Sequence, residues 1–359
     1  MLKIAYFISP HGFGHAARAC AIIQALQEKH HDIEFEIFTL VPEWFFAESH
    51  LPQFHYHPVR TDLGLVQRNS LVEDIPSTLV ELGKFLPFSD RIVNSLAQQI
   101  SDLGCLLVVC DIAPLGIAVA KVAGIPSVLI ENFTWDWIYE GYLDVAPGFQ
   151  PYISYLAGWF EQANYHIQTS PVCSPGHTNL TTPPVGRLFC ENPIAVRKRL
   201  GLPPNAQAVL ITMGGIKDNF VSLLDALPRH DCYFIIPGAS DHIIHTDNCI
   251  LLPHHSGFYH PDLLRACTAV IGKLGYSTLA EAYCANRPFG FIPRARFRES
   301  PPLADFVVNE MNGVVVSEEE YTTNAWLNRV PELLARFDNK PPRSSGAPAA
   351  AEFLIKLLG

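Results

Sequence analysis

Two short apolar strands, one in each half of the chain, run straight into small-residue turns and then helices. Near the start, Lys3 to Ser9 leads into HGFGHAAR at His11 to Arg18. In the second half, Ala269 to Ile271 leads into GKLGYSTLAEA at Gly272 to Ala282. This order points to open, doubly wound α/β sheets, in which strand, turn and helix repeat and successive strands run parallel. It also creates a kind of site. A small-residue turn leaves backbone N–H groups free at a helix N-terminus, where the helix dipole favours phosphate.

Two such units predict two lobes, and the bulk properties agree. At 359 residues the chain exceeds the usual size of one domain. With 48% hydrophobic and 17% charged residues, it has material for large cores and does not read as disordered. A net charge of −10 argues against non-specific nucleic-acid binding and against docking on an anionic membrane. The nine cysteines form no CxxC pair, and Cys105, Cys110, Cys232, Cys249, Cys267 and Cys284 sit in or beside apolar patterns. They read as small core residues of a reduced, cytoplasmic protein. MLKIAYFISP lacks a signal-peptide layout, and no run of about 18 apolar residues predicts a membrane span.

In the first half the pattern predicts strands at Lys3 to Ser9, Glu34 to Thr39, Cys105 to Cys110 and Pro126 to Ile130. Helices are expected at Ala16 to Lys29 and Pro114 to Ala123, with one or two more between Asp74 and Ile100, limited by Pro76 and Pro87. The stretch SPVCSPGHTNLTTPP, Ser170 to Pro184, reads as a connection between lobes. The second half restarts with strands at Ala208 to Thr212, Tyr233 to Ile236, Ala269 to Ile271 and Phe289 to Ile292, and a helix at Pro261 to Ala266. The expected organisation is a first lobe over 1–170, a linker over 171–186, a second lobe over 187–345, and a last helix over 346–359 that returns to the first lobe.

In HGFGHAAR, Gly12-x-Gly14-x-x-Ala17 has the form of a dinucleotide fingerprint. The acid that should close the second strand is missing, since that strand ends in Thr39-Leu40-Val41. This argues against nicotinamide or flavin binding. What remains is His11 and His15 beside a backbone that a ligand can approach closely. Histidine titrates near neutrality and suits general-base work; capping of the helix is the plainer alternative. Arg18 can hold a phosphate or sugar, or pair with a carboxylate. Asp111 ends the buried run LLVVCD at the edge where open α/β sheets bind ligands. It can orient a histidine, accept from a substrate hydroxyl, or cap the helix that Pro114 opens.

In the second half, Met213-Gly214-Gly215 is a strand-to-helix turn able to place N–H groups near phosphate. The main phosphate turn offers Lys273, Leu274, Gly275, Tyr276 and Ser277, with Glu281 placed to reach a sugar hydroxyl. ARFRES, Ala295 to Ser300, carries Arg296, Arg298 and Glu299 and follows Arg294; these would lie beside a donor sugar or phosphate or remain a solvated loop. His242, His245, His254, His255 and His260 fit no standard zinc spacing, so no metal site is expected. The aromatic stretch Trp135 to Phe160 can grip an acceptor or simply fill a core.

These motifs, in this order, resemble the glycosyltransferases with two Rossmann-like lobes, the GT-B superfamily. GKLGYSTLAEAYCANRPFGFIP is similar to their donor-binding segment, and DIAPLGIAVAKVAGIPSVLIEN to their first-lobe D…A…GIP segment. HGFGHAAR and GKLGYSTLAEA also look like motifs in the glycosyltransferase-like N-terminal domain of plant-type L-arabinokinases. GFGHAAR and TMGG resemble the nucleotide-sugar hydrolase of pseudaminic acid synthesis. A glycine turn ending in histidine is shared with the peptidoglycan N-acetylglucosaminyl transferase. The resemblance implies diphosphate at Gly275, Tyr276 and Ser277, ribose at Glu281 and catalysis by His15.

The resulting expectation is a metal-independent transferase with His15 (or His11) as base and Asp111 orienting it. It would move a sugar from a nucleoside-diphosphate donor, UDP-linked, to an unknown acceptor. The nucleotide-sugar is a substrate, and no cofactor is expected. A hydrolase with the same donor site and a non-catalytic nucleotide-sugar binding module are the alternatives.

Overall fold

The computed structural model describes residues 2–51, 53–214, 227 and 232–358. Seven strands of the first half form one sheet: β1 (Leu2–Ile8), β2 (Ile33–Thr39), β3 (Phe54–Pro58), β4 (Leu107–Asp111), β5 (Ser127–Glu131), β6 (Tyr165–Thr169) and β7 (Leu180–Thr182). All are parallel, in the order β3-β2-β1-β4-β5-β6-β7. A second sheet holds β8 (Gln207–Thr212), β9 (Cys232–Pro237), β10 (Ile244–His245), β11 (Cys249–Leu252), β12 (Ala269–Lys273), β13 (Phe289–Ile292) and β14 (Val314–Val315). Its order is β10-β11-β9-β8-β12-β13-β14, parallel except for the β10–β11 pair.

Both sheets are doubly wound about their first strand, and in each the strand order reverses beside it. In the first sheet this happens between β1 and β4, and in the second between β8 and β12. Ligands of open α/β folds bind in the crevice at such a point, outside the carboxyl ends of the strands. The His11–Arg18 turn, Asp111, the Met213–Gly214 turn and the Lys273–Ser277 turn therefore all sit on ligand-binding edges. The topology collects residues that lie far apart in sequence.

Helices cover both faces of the first sheet, so its central strands are apolar on both sides. On one face, Ala5, Phe7 and Val108 pack with the Pro114–Ala123 helix and the aromatic stretch after Trp135. On the other, Ile4, Tyr6 and Ile8 pack with the Gly14–Lys29 helix and the C-terminal Ala347–Leu357 helix. Ala350, Ala351 and Leu354 of that last helix are fully buried there. The last helix thus completes the core of the first lobe. The second sheet is sandwiched in the same way between two further apolar layers.

The expected strands and helices form within a few residues of their predicted bounds. Asp74 to Ile100 holds two helices, Ile75–Phe85 and Asp90–Asp102. Pro76 falls in the first turn of the earlier one, where a missing N–H costs nothing. One difference has a physical cause, and one open alternative is decided. The stretch Ser170 to Pro184 contains β7, whose three residues pair with β6 and extend the first sheet. The aromatic stretch is largely core: Trp135, Tyr139, Tyr142 and Phe149 are buried, and Tyr139 stacks on Phe149. Those rings fill the layer over β4 and β5, so the segment does not present a continuous acceptor-binding face.

Because Leu354 joins the last helix to the first lobe's core, Leu354→Ala should cost about 3 kcal/mol. Ile194→Ala, at a side chain 76% exposed, should cost under about 0.5 kcal/mol. Urea unfolding of both variants checks this, and equal midpoints would show that the last helix is not integral to the lobe.

Candidate active site

The turn after β1 is built for close approach. Gly12 adopts φ +71°, a conformation that favours glycine, and a Cβ on Gly14 would lie 3.5 Å from Ser277 Oγ of the second lobe. The Gly14–Lys29 helix and the Tyr276–Ala285 helix thus bring their N-termini together across the cleft. Neither has a side-chain cap among the described residues, and neither carries an acid in its first turn. Uncapped N–H groups and the positive ends of two helix dipoles therefore converge on one place.

Beside them stands a buried triad. His15 lies at the start of the first helix, and its Nδ1 is 3.0 Å from Asp111 Oδ1. Arg18, one turn on, donates to both carboxylate oxygens, from Nε at 2.8 Å and Nη2 at 2.7 Å. Its Nη1 donates to Asn132 at 2.8 Å and to Thr169 at 3.3 Å. Burial alone would raise the Asp111 pKa, but Arg18 and His15 outweigh it and hold the carboxyl below its usual range. A carboxylate only accepts, so His15 Nδ1 carries the proton and Nε2 keeps its lone pair for the cleft that His15 lines. Ile112, directly after Asp111, is buried at φ +40°, a strained conformation for a β-branched residue. Asp111 does not cap the helix opened by Pro114, which has no side-chain cap.

Two adjoining cavities share Phe13, Gly214, Ser277 and Thr278. The larger, about 1000 Å³ including open solvent, reaches Gly238, Tyr259, His260 and Glu281. The smaller, about 660 Å³ on the same measure, is bordered by His11, His15, Lys273, Arg294 and Glu299.

At the bottom of the larger cavity Glu281 receives Arg187 Nε at 2.7 Å and meets His260 Nδ1 at 2.9 Å. Its pKa falls to about 2: burial opposes ionisation, but Arg187 and His260 more than compensate. Arg187 lies against the rings of Phe45 and Tyr259 and also donates to Ser49 of the first lobe, at 3.2 Å.

In the smaller cavity Lys273 makes no hydrogen bond or ion pair with any described residue. Burial, then the nearby Arg294, pushes its pKa down to about 7. His11 Nδ1 accepts the Leu65 N–H at 3.4 Å, and burial with Arg294, His15 and Lys273 around it keeps the ring neutral. Glu299 accepts from Asn132 at 2.8 Å.

Most of the expected site residues meet here: His11, Gly12, Gly14, His15, Gly214, Lys273, Gly275, Tyr276, Ser277, Glu281 and Glu299 all line one cavity or the other. Two expectations need amending, and one is untested. Leu274 is buried in the second lobe's core and lines neither cavity. Gly215 lies outside the described residues. Arg18 borders the smaller cavity, but its guanidinium is used inside the protein, on Asp111, Asn132 and Thr169, rather than kept for a sugar.

Sequence reasoning missed Asp62, which accepts from Ser9 and Trp135 under the first glycine turn and whose pKa burial raises to about 7. It also missed Arg187, Gln67 and Asn132. Only Asn132 carried a signal, as a polar residue just past the end of an apolar strand. Among the described residues, no three His, Cys, Asp or Glu side chains are grouped to hold a metal ion. No described helix is long and apolar enough to cross a membrane.

Known structures share this fold. The spinosyn forosaminyltransferase SpnP matches with a TM-score of 0.61 and 16% identity over 99% of both chains. The glycosyltransferase VinC, solved in complex with DTDP, matches with a TM-score of 0.61 and 13% identity over 99% of both chains. The chain has the GT-B fold. In sequence, the L-arabinokinase of Arabidopsis thaliana is 28% identical over 334 residues, which cover 90% of this chain and 31% of that protein. The chain therefore spans about a third of the length of this relative. No family model matches it.

A lysine of pKa about 7 is mostly neutral at pH 8, whereas an ordinary lysine, near 10.4, is almost wholly charged. Brief acylation at pH 8, read by mass spectrometry, should therefore modify Lys273 ahead of the exposed Lys340 and Lys356. Equal labelling of all three would show that the Lys273 environment does not favour the free amine.

Proposed function

We propose that this GT-B protein is a glycosyltransferase that moves a sugar from a nucleoside-diphosphate donor, UDP-linked, to an acceptor hydroxyl. The observation that carries this reading is the convergence of two uncapped helix N-termini beside an unpaired lysine, Lys273. A doubly charged diphosphate fits that place, with N–H groups from Gly275, Tyr276 and Ser277 and the Lys273 ammonium around it. The larger cavity beyond the turn suits the nucleoside, with Glu281 toward the ribose. Arg187 and His260 each engage one of its carboxylate oxygens, and the remaining lone pairs can still accept from a hydroxyl.

In this reading the acceptor oxygen gives its proton to His15 Nε2 as it attacks the anomeric carbon. The bond from that carbon to the diphosphate oxygen breaks, and its electron pair leaves with the diphosphate. Asp111 holds the imidazole in the tautomer that can accept, and stabilises the imidazolium that forms. The helix ends and Lys273 stabilise the charge that develops on the leaving group, a role a metal ion fills in other enzymes. The structural relatives, a forosaminyltransferase and a glycosyltransferase solved in complex with DTDP, support this reading.

The test is calorimetry with UDP in the absence of metal, followed by turnover assays with UDP-sugars. UDP should bind, and His15→Ala should lower turnover about 10³-fold while UDP affinity stays within about threefold. Bound phosphate raises the Lys273 pKa above its free value near 7. Binding above pH 7 therefore takes up a proton, and affinity should fall as the pH rises from 7 to 9. Absence of UDP binding, or a His15→Ala variant with near-normal turnover, would overturn the reading. Donor consumption that proceeds equally fast without any acceptor would assign the same site to a hydrolase.

A further inference from the structure

Arg294 is the one described side chain of the cleft whose full positive charge is buried without a hydrogen bond. It is 5% exposed, it borders the smaller cavity, and no described residue accepts from its guanidinium; Nε and Nη1 are wholly shielded from water as well. Its nearest carboxylates stand off, Glu73 Oε1 at 3.6 Å from Nη1 and Glu299 Oε2 at 3.8 Å from Nη2. The plane is fixed by the Phe297 ring, 3.3 Å below it. Gln67, on the same cavity wall, has a buried Nε2 that likewise finds no acceptor. With Lys273, the cavity thus collects guanidinium, amide and ammonium donors from three separate segments. Such groups are costly to bury without hydrogen bonds, and a ligand rich in acceptors relieves that cost.

The position of Arg294 says which part of a ligand it meets. Along the edge of the second sheet the strands run β9, β8, β12, β13. Gly238 and Gly214, after β9 and β8, border the larger cavity, and the phosphate turn follows β12. Arg294 follows β13, one strand further on. A nucleoside, a diphosphate and a sugar laid along this edge in that order bring the sugar against Arg294 and Gln67. We infer that the transferred sugar carries a carboxylate, as in a nucleoside-diphosphate uronic acid, and that Arg294 is the residue that selects it.

This inference rests on the donor-site reading above, and its test separates the two. Calorimetry would compare UDP, UDP-glucose and UDP-glucuronate on the wild-type protein, on Arg294→Gln and on Arg294→Lys. The expected result is a wild-type affinity for UDP-glucuronate at least tenfold above that for UDP-glucose. Arg294→Gln should remove this preference and Arg294→Lys retain part of it, with UDP affinity within threefold throughout. If UDP binds but the wild type does not distinguish the two sugars, or if Arg294→Gln keeps the preference, the carboxylate inference fails and the donor site stands. If UDP does not bind, both fail. If free glucuronate binds to the protein already loaded with UDP-glucose, with an affinity that Arg294→Gln abolishes, the carboxylate belongs to the acceptor and the assignment to the transferred sugar is overturned. The wild-type comparison needs no variant, so a poorly folding Arg294→Gln leaves the inference testable.

Discussion

The ion pair between Arg18 and Asp111 is the interaction on which the rest of this molecule depends. Both side chains are fully buried, so each is tolerable only because the other is there. Removing one partner of such a pair typically costs about 3–5 kcal/mol. The pair does more than neutralise itself. It keeps Asp111 ionised, which sets the His15 tautomer, and it brings the Gly14 helix onto the end of β4. On its other side the Arg18 guanidinium lies 4.9 Å from the centre of the Tyr276 ring, in the first turn of the second-lobe helix. The Tyr276 hydroxyl in turn accepts the Val185 N–H from the segment joining the lobes. One buried cation thus touches the candidate base and the turn after β12, and through Tyr276 it reaches the connection between the lobes.

Further polar ties cross the cleft around this centre. Arg187 spans from Glu281 to Ser49, Asn132 reaches Glu299, and Arg298 donates to the carbonyl of Trp137 and to Glu140. Exposed pairs such as Arg296 with Asp144 add little to stability, each under about 1 kcal/mol. The buried ones differ in kind, because parting the lobes would leave charges without partners in a dry place. The Glu281 carboxylate illustrates the dual use. With its pKa held near 2 it stays ionised through any physiological pH, and it secures Arg187 while bordering the larger cavity.

What could be read from the sequence was whatever is local. Strand–turn–helix order, the two small-residue turns and Asp111 at the end of an apolar run follow from short-range pattern, and the sheets form where that pattern puts them. What could not be read was partnership. Whether Arg18 faces a sugar or a carboxylate depends on Asp111, Asn132 and Thr169, which lie far along the chain and meet only through the order β1-β4-β5-β6. Leu274 stands between two cavity-lining residues, yet its side chain points into the core, because successive residues of an extended segment face opposite ways. β7 was hidden for a related reason. Three residues suffice when the neighbouring strand supplies the register, and a Pro- and Thr-rich stretch gives no periodicity to betray them.

Some of the buried polar groups that find no partner border the cleft, where a ligand can complete them. Proteins satisfy nearly all buried polar groups, and departures that persist tend to mark function. Here Arg294, Gln67 and Lys273, which pairs with no described residue, all border one cavity, and the strained Ile112 adjoins Asp111, the partner of His15. A guanidinium replaced by an apolar side chain at 294, or a less strained residue at 112, would be the simpler choice for a chain selected only to fold. Glu73 and Glu299 stand near Arg294 without hydrogen-bonding it, so the place is one where a ligand can add the missing acceptors. The same logic accounts for the two uncapped helix ends. A serine or aspartate at either N-cap would stabilise its helix by about 1 kcal/mol and fill the place where the lobes converge. Phe13 and Gly275 occupy those positions instead, and leave the N–H groups to a ligand.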